Sequence, residues 1–462
     1  MTQTKRRNLT EGNLPRQIVL FAIPVIISGI VQRLFTSADL AVLGKMADLT
    51  AVASINAVST ILGLTIDSLN GLAHGAVILV AQAIGRKDEQ DVHRLSATAM
   101  QTALWLGVMI AVVGVTCKNY LPALINCPEN CYDNSALYLM IYFCSAPAIL
   151  VYNFSAALIR TTGDTRTPTV IIILAGLLNV GLNVLLCTFF TRKVAAVAIA
   201  TLVSQVFSAI VSLVVLLRMG YPFRPSFHPK TFHRRSLGRI LSVGLPCAFS
   251  QALFSLGTLP VNRAINSFGS PAIAGNGACI QIEAIIASVH NGFTSAALTF
   301  VGQNYGANRR DRIRLSIFHT LWMATSSVVV CSAIALLFHN QLLGVFLSGD
   351  GLDEALRVGY LRMRYIILFY FISTWRGVIA SSIQGLGHTL FTTLNSAISI
   401  LLARNLWVFF VFPHFGTIDN LYLLFLLTWI LNLVIDLVAF VYYTRKIHLF
   451  QKTPPPPVAE AV

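Results

Sequence analysis

"NGLAHGAVILVAQAIG", residues 70–85, and "NGFTSAALTFVGQNYG", residues 291–306, are two versions of one segment. Asn70, Gly71, Ala76, Val80, Gln82 and Gly85 align without a gap with Asn291, Gly292, Ala297, Val301, Gln303 and Gly306, an offset of 221. Other matches keep nearly that offset. Pro24 in "RQIVLFAIPVI" and Pro246 in "GRILSVGLPCA" differ by 222. "LIRTTGDT" and "SIQGLGHT" align Ile159 with Ile383, Gly163 with Gly387 and Thr165 with Thr389, a difference of 224. Matches in one order at nearly constant spacing argue for an internal duplication; isolated glycines and prolines would not.

What is duplicated is apolar. The chain is 55% hydrophobic and 11% charged, with mean hydropathy +0.72, where an ordinary soluble domain is about 25% charged. Runs without Asp, Glu, Lys or Arg recur at 95–117, 134–159, 167–191, 194–217, 240–262, 284–308, 315–349 and 377–403. A helix needs roughly 20 mostly apolar residues to cross a bilayer. A soluble helical protein would need a polar face on each helix, and most of these runs show none. The reading is an all-α integral membrane protein with about twelve transmembrane helices, at 17–43, 50–84, 95–116, 134–160, 167–190, 194–217, 239–266, 272–305, 314–338, 355–384, 389–412 and 420–444. The second and eighth are long enough to tilt or to run past the lipid surface.

The net charge of +15 follows from topology and requires no nucleic-acid partner. With the N-terminus in the cytoplasm, 22 of the Lys and Arg residues fall in inside segments, and four (Lys45, Lys118, Arg192 and Lys193) fall outside. Cytoplasmic loops carry such an excess, so both termini are expected inside. Six spans per half make both halves enter from the same side. They are then parallel repeats about an axis along the membrane normal, an architecture of transporters. The expected organisation is an N-terminal lobe at 1–218, a basic cytoplasmic linker at 219–238, a C-terminal lobe at 239–446 and a cytoplasmic tail at 447–462.

The repeated letters also have a packing role. Gly71 and Gly292 let helices approach, Asn70 and Asn291 can bond across them, and Gly85 and Gly306 suit helix ends. "MTQTKRR" leads into the first span without a cleavage site. Cys127 and Cys131 in "CPENC" lie in an outside loop, either as a disulfide or as free thiols. "PPPP" at 454–457 reads as an exposed polyproline stub.

An ionisable group deep in lipid costs roughly 2.5–3.5 kcal/mol on insertion scales, so the acids inside spans are informative. Of 18, four qualify: Asp39, Asp67, Glu283 and Asp436. Arg33, Arg263, Arg376 and Arg404 are basic residues within spans and could pair with them. Asn179 and Asn183 lie one helical turn apart and share a face. Glu283 has no counterpart in the first half, where Leu62 stands, so it suggests a special role in the second lobe: either contact with substrate cations or a salt bridge to Arg263 or Arg404.

Several segments together resemble the multidrug and toxic compound extrusion (MATE) transporters. They are "FAIPVIISGIVQRLFTSADLAVLGK", "AQAIGRKDEQDVHR", "IRTTGDTRTP", "LLNVGLNVLL", "VAIATLVSQ" and "VGQNYGANRRDRIR". The resemblance implies a two-lobed, twelve-helix fold and cation-coupled export of organic compounds. It implies that Asp39 is the coupling acid, facing Asn179, Asn183 and Thr201. Independently of the resemblance, Glu283 by its asymmetry and Asp67 as an acid within a span are the candidates for substrate contact. Some relatives carry a second aspartate where Asn183 stands, and the acids that sodium-using relatives carry on the seventh and tenth spans are missing here. The expected function is a secondary active antiporter of organic, amphipathic or cationic compounds. Its coupling ion would be a proton or sodium and it would have no other cofactor. It would sit multi-pass in a bacterial inner membrane, with lipid and small organic substrates as its partners. A flippase of a lipid-linked precursor is the alternative, kept open by the intramembrane arginines. No enzyme motif such as HExxH or GxSxG is present.

Overall fold

The computed structural model describes residues 9–46, 49–124, 127–347 and 351–446. Among these, all regular elements are helical. Ten segments are long and apolar enough to cross a membrane, and two bent helix pairs bring the number to twelve. In chain order they are α1 (Leu14–Met46), α2 (Leu49–Gly85), α3 (Glu89–Thr116), α4 (the pair Glu129–Cys144 and Ala146–Thr161), α5 (Arg166–Phe189) and α6 (Lys193–Arg218). The second half repeats the set: α7 (Arg234–Asn266), α8 (Ser270–Gly306), α9 (Arg310–Leu337), α10 (the pair Leu352–Ile367 and Tyr370–Gly385), α11 (Thr389–Phe415) and α12 (Ile418–Lys446). The longest are α2 and α8, at 37 residues each. Large apolar side chains such as Trp105 and Met109 on α3 and Trp322 and Val330 on α9 face outward, as lipid-covered surface requires.

The bends in α4 and α10 have no counterpart in the sequence reading, which treats each as one span. They measure 45° and 41°. In α4 the break is at Ser145, and Pro147 opens the new helix. A proline lacks the N–H that would continue the preceding ladder but is tolerated in a first turn. In α10 the break at Leu368–Phe369 follows a π-helical stretch, Met363–Ile367. Ser145 and Phe369 are 224 positions apart, the offset of Gly163 and Gly387, so the bend is duplicated with the sequence.

The turns and tertiary bonds are duplicated as well. Gly163 and Gly387 have φ of 83° and 99°, in the left-handed region that glycine enters without steric cost. Lys87 and Asn308, just past the ends of α2 and α8, are both left-handed too. Thr169 on α5 donates to the Pro24 carbonyl of α1 at 2.8 Å, and Thr393 on α11 donates to the Pro246 carbonyl of α7 at 2.7 Å.

The halves meet through α2 against α7 and α8, and through α1 against α8. Lipid gives helices no hydrophobic drive to associate, so close approach needs small residues. Gly75 lies against Gly244, where an added Cβ would strike backbone. At the end carrying the basic loops, Gln82 donates to the Gly385 carbonyl at 2.9 Å, and Gln303 donates to the Thr161 carbonyl. A Cβ on Gly85 would overlap the Gln303 carbonyl, and one on Gly306 would overlap that of Gln82. At Gly63, farther toward the opposite end of α2, an added Cβ would meet open space. The halves are thus clamped at the basic end.

The connector between halves is strapped to α3. Gln101 donates to the Ser226 carbonyl at 2.7 Å and to Thr231 at 3.0 Å. Asp91 on α3 pairs with Arg86 at 3.0 Å and with Arg239 of α7 at 2.8 Å. Cys127 and Cys131 are free thiols, and Cys131 is buried beside the Thr50 carbonyl.

Candidate functional site

In the first half, the approach of α1 to α5 sets the geometry. Gly176 faces the Phe35 ring so closely that a Cβ would overlap it. One to two turns farther along, Asn183 of α5 donates to the Asp39 carboxylate of α1. The same amide nitrogen donates to Asn179 Oδ1 at 3.3 Å, and Asn179 Nδ2 reaches Thr201 Oγ1 of α6 at 3.4 Å. Asn183 is fully buried and Asn179 is 5% exposed. Asn183 Oδ1 has no hydrogen-bond partner among the described residues. A buried, unsatisfied acceptor costs free energy, and this one lies next to a carboxylate. Carboxylate, amide and hydroxyl oxygens together can hold a small hard cation or share a proton.

The second half holds a buried ion pair as well as an acid–amide pair. Glu283 of α8 pairs with Arg362 of α10 at 2.7 Å. Arg362 also donates to Asn276 Oδ1 at 2.9 Å and lies over the rings of Tyr422 and Phe425 of α12. Asp436 of α12 accepts from Asn395 of α11 at 2.7 Å. Arg404 of α11 is 1% exposed, donates from Nε to Thr428 at 3.4 Å and stacks over Phe425 at 4.6 Å and Phe254 at 5.5 Å. It sits on a single α-helical turn, Ala403–Leu406, between the π-helical stretches Ala397–Leu402 and Trp407–Val411. Such interruptions collect at functional sites.

The profile of the MatE family matches the chain twice, over residues 24–185 and 246–406. The chain belongs to the MatE family. Its two matched segments are the two halves seen in the fold, and with its spans they make it a multi-pass membrane transporter. Among MatE relatives it is 26% identical over 416 residues to the probable multidrug resistance protein YoeA of Bacillus subtilis, covering 88% of each chain. It is 24% identical over 395 residues to the probable multidrug resistance protein NorM of Thermotoga maritima, covering 84% of each. Its fold matches the outward-facing conformation of a multidrug resistance MATE family transporter of the MOP superfamily. That match has a TM-score of 0.84 and 21% identity, over 98% of this chain and 100% of the other.

Of the residues singled out from the sequence, the MatE fold brings Asp39, Asn179, Asn183 and Thr201 into one hydrogen-bonded chain. It does not bring Glu283 to them. Glu283 meets Arg362, and neither Arg263 nor Arg404 is its ion-pair partner. Arg33 and Arg263 are exposed, which removes them from the buried cluster. The side chain of Asp67 lies outside the described residues. Arg362, Asn276, Asn395 and Asn432 escaped the sequence reading. The available signal was spacing: Asn276 and Glu283 lie seven positions apart on α8, two turns and one face, and both bind Arg362.

Proposed function

We propose that the chain is a secondary active exporter, an antiporter that moves organic compounds out of the cell against entry of a proton or sodium ion. The observation that carries this reading is the Asp39–Asn183–Asn179–Thr201 chain with its open Asn183 oxygen. Intramembrane acids held by neutral partners mark ion pathways and proton relays. The names of the relatives, multidrug resistance proteins, support amphipathic organic cargo. A preference for cationic cargo rested on Glu283, whose carboxylate is engaged by Arg362.

The two halves rock about the clamped interface, and an ion drives them only if it binds the two arrangements with different affinity. Swinging a population from 1:99 to 99:1 needs about 5.5 kcal/mol. A membrane potential supplies about 2.3 kcal/mol per charge at 100 mV. A charge crossing the potential therefore covers part of the swing, and differential binding at Asp39 covers the rest. The setting we propose is a bacterial inner membrane, with both termini and 219–238 on the cytoplasmic side, as the charge asymmetry supports. The partners are lipid and small organic substrates, with no nucleic acid and no cofactor beyond the coupling ion. The test is dye efflux from vesicles with and without an imposed ion gradient. Efflux indifferent to both proton and sodium gradients would sink the antiport reading.

Flipping of a lipid-linked precursor is a second reading, favoured by the buried arginines Arg362 and Arg404. Competition of a lipid pyrophosphate with the dye distinguishes it.

A further inference from the structure

The second half holds more buried cation than its acids neutralise. Arg362 takes Glu283 at 2.7 Å, and Asp436, which accepts from Asn395 at 2.7 Å, lies within electrostatic reach of Arg376, so that two acids face the three arginines Arg362, Arg376 and Arg404. Arg404 lies within electrostatic reach of Arg376, Glu283 and Arg362, yet no carboxylate pairs with it among the described residues. Both of its terminal nitrogens, Nη1 and Nη2, are buried and without a partner among those residues. One turn along α12 from Thr428, which accepts from Arg404 Nε, the Asn432 Nδ2 donor is buried and unpartnered too. The flanking rings of Phe425 and Phe254 offset part of the charge but satisfy no N–H in the guanidinium plane. Beside Asp39 in the first half the open position is an acceptor, Asn183 Oδ1. Around Arg404 the open positions are donors.

A guanidinium with its outer fork free is built for a planar or tetrahedral oxyanion, which it binds through two parallel charge-assisted bonds. We propose that Arg404 is an anion subsite of the second half, which takes the carboxylate or phosphate of an organic substrate between α7, α11 and α12. Phe254 and Phe425 would lie against the substrate's apolar body. The proposal deepens the export reading, on which it rests for the purpose of the site. Its test is equilibrium binding, which succeeds or fails whatever ion drives transport.

The experiment uses the full-length protein purified in detergent. Fluorescein serves as the carboxylate probe, read by anisotropy, with the cationic dye rhodamine 6G as the control. Wild type should bind fluorescein saturably. Arg404→Gln should weaken that binding about tenfold or more, the loss expected of a bidentate charge-assisted pair, and leave rhodamine 6G binding within about twofold. Glu283→Gln shifts the site in the other direction: it releases Arg362 and removes a negative charge, so fluorescein should bind more tightly. These opposite responses separate a charge-selective site from a folding defect. Displacement of fluorescein by geranyl pyrophosphate would assign the anion to a lipid-linked phosphate, and failure to displace would assign it to a soluble organic anion. The proposal is overturned if wild type binds neither anionic probe. It is equally overturned if Arg404→Gln binds fluorescein as wild type does and merely changes its melting temperature, because Arg404 is then a packing residue between two rings.

Discussion

Gln82 and Gln303 stand at equivalent positions of the two halves, and each crosses to the other half to donate to a backbone carbonyl, Gly385 for the first and Thr161 for the second. The pair forms a two-fold latch at the basic end, set where Gly85 and Gly306 leave no room for a Cβ.

Removing the latch should open that end. A buried hydrogen bond contributes about 1 kcal/mol net, so Gln82→Ala with Gln303→Ala should shift the equilibrium toward the arrangement open at the basic end by about ten- to thirtyfold. Spin-label distances between α2 and α8 at that end would report the shift. Gly85→Ala and Gly306→Ala should act in the same direction, because each Cβ meets a carbonyl of the opposite half. Unchanged distances in all three variants would show that the latch holds nothing.

Breaking the Glu283–Arg362 pair should destabilise the second half. Arg362 is 4% exposed, and removing one partner of a buried pair costs about 3–5 kcal/mol because the other charge stays buried. Glu283→Gln should therefore lower the melting temperature in detergent. Adding Arg362→Met should recover most of the loss, since an apolar pair of similar volume is often neutral or better. A Glu283→Gln protein as stable as wild type would mean that Arg362 finds another partner.

The span pattern was legible from the sequence because lipid leaves few options: a run of about 20 apolar residues must be a helix with its backbone bonded internally. The bends at Ser145 and Phe369 were not, since hydropathy is blind to a break that keeps the run apolar. Asn179 and Asn183 could be placed on one face by spacing alone, and their meeting with Asp39, 144 positions from Asn183, was implied by resemblance. The Glu283–Arg362 pair joins residues 79 positions apart. Arg362 falls on one helical face with the buried Ala355, Val358 and Gly359, while Arg357 and Arg364 are exposed; hydropathy does not show which face of that helix is buried.

Topology is checked with the native thiols. Cys127 is partly exposed and Cys131 is 3% exposed, and both are free. In intact cells an impermeant maleimide should label Cys127 without prior reduction and Cys131 far more slowly. A cysteine placed at the exposed Lys230 should label only after permeabilisation. Labelling of position 230 in intact cells would invert the assigned sides.

The most direct measurement is gradient-driven efflux by Asp39→Asn in reconstituted vesicles, first under an imposed proton gradient and then under a sodium gradient. Asparagine keeps the size of the side chain and its contact with Asn183 but removes the charge that loads a proton or cation. The account predicts that the variant inserts and binds dye like wild type, while its efflux under either gradient falls to the rate seen without one. Efflux at the wild-type rate would contradict it and make Asp39 a structural residue of α1.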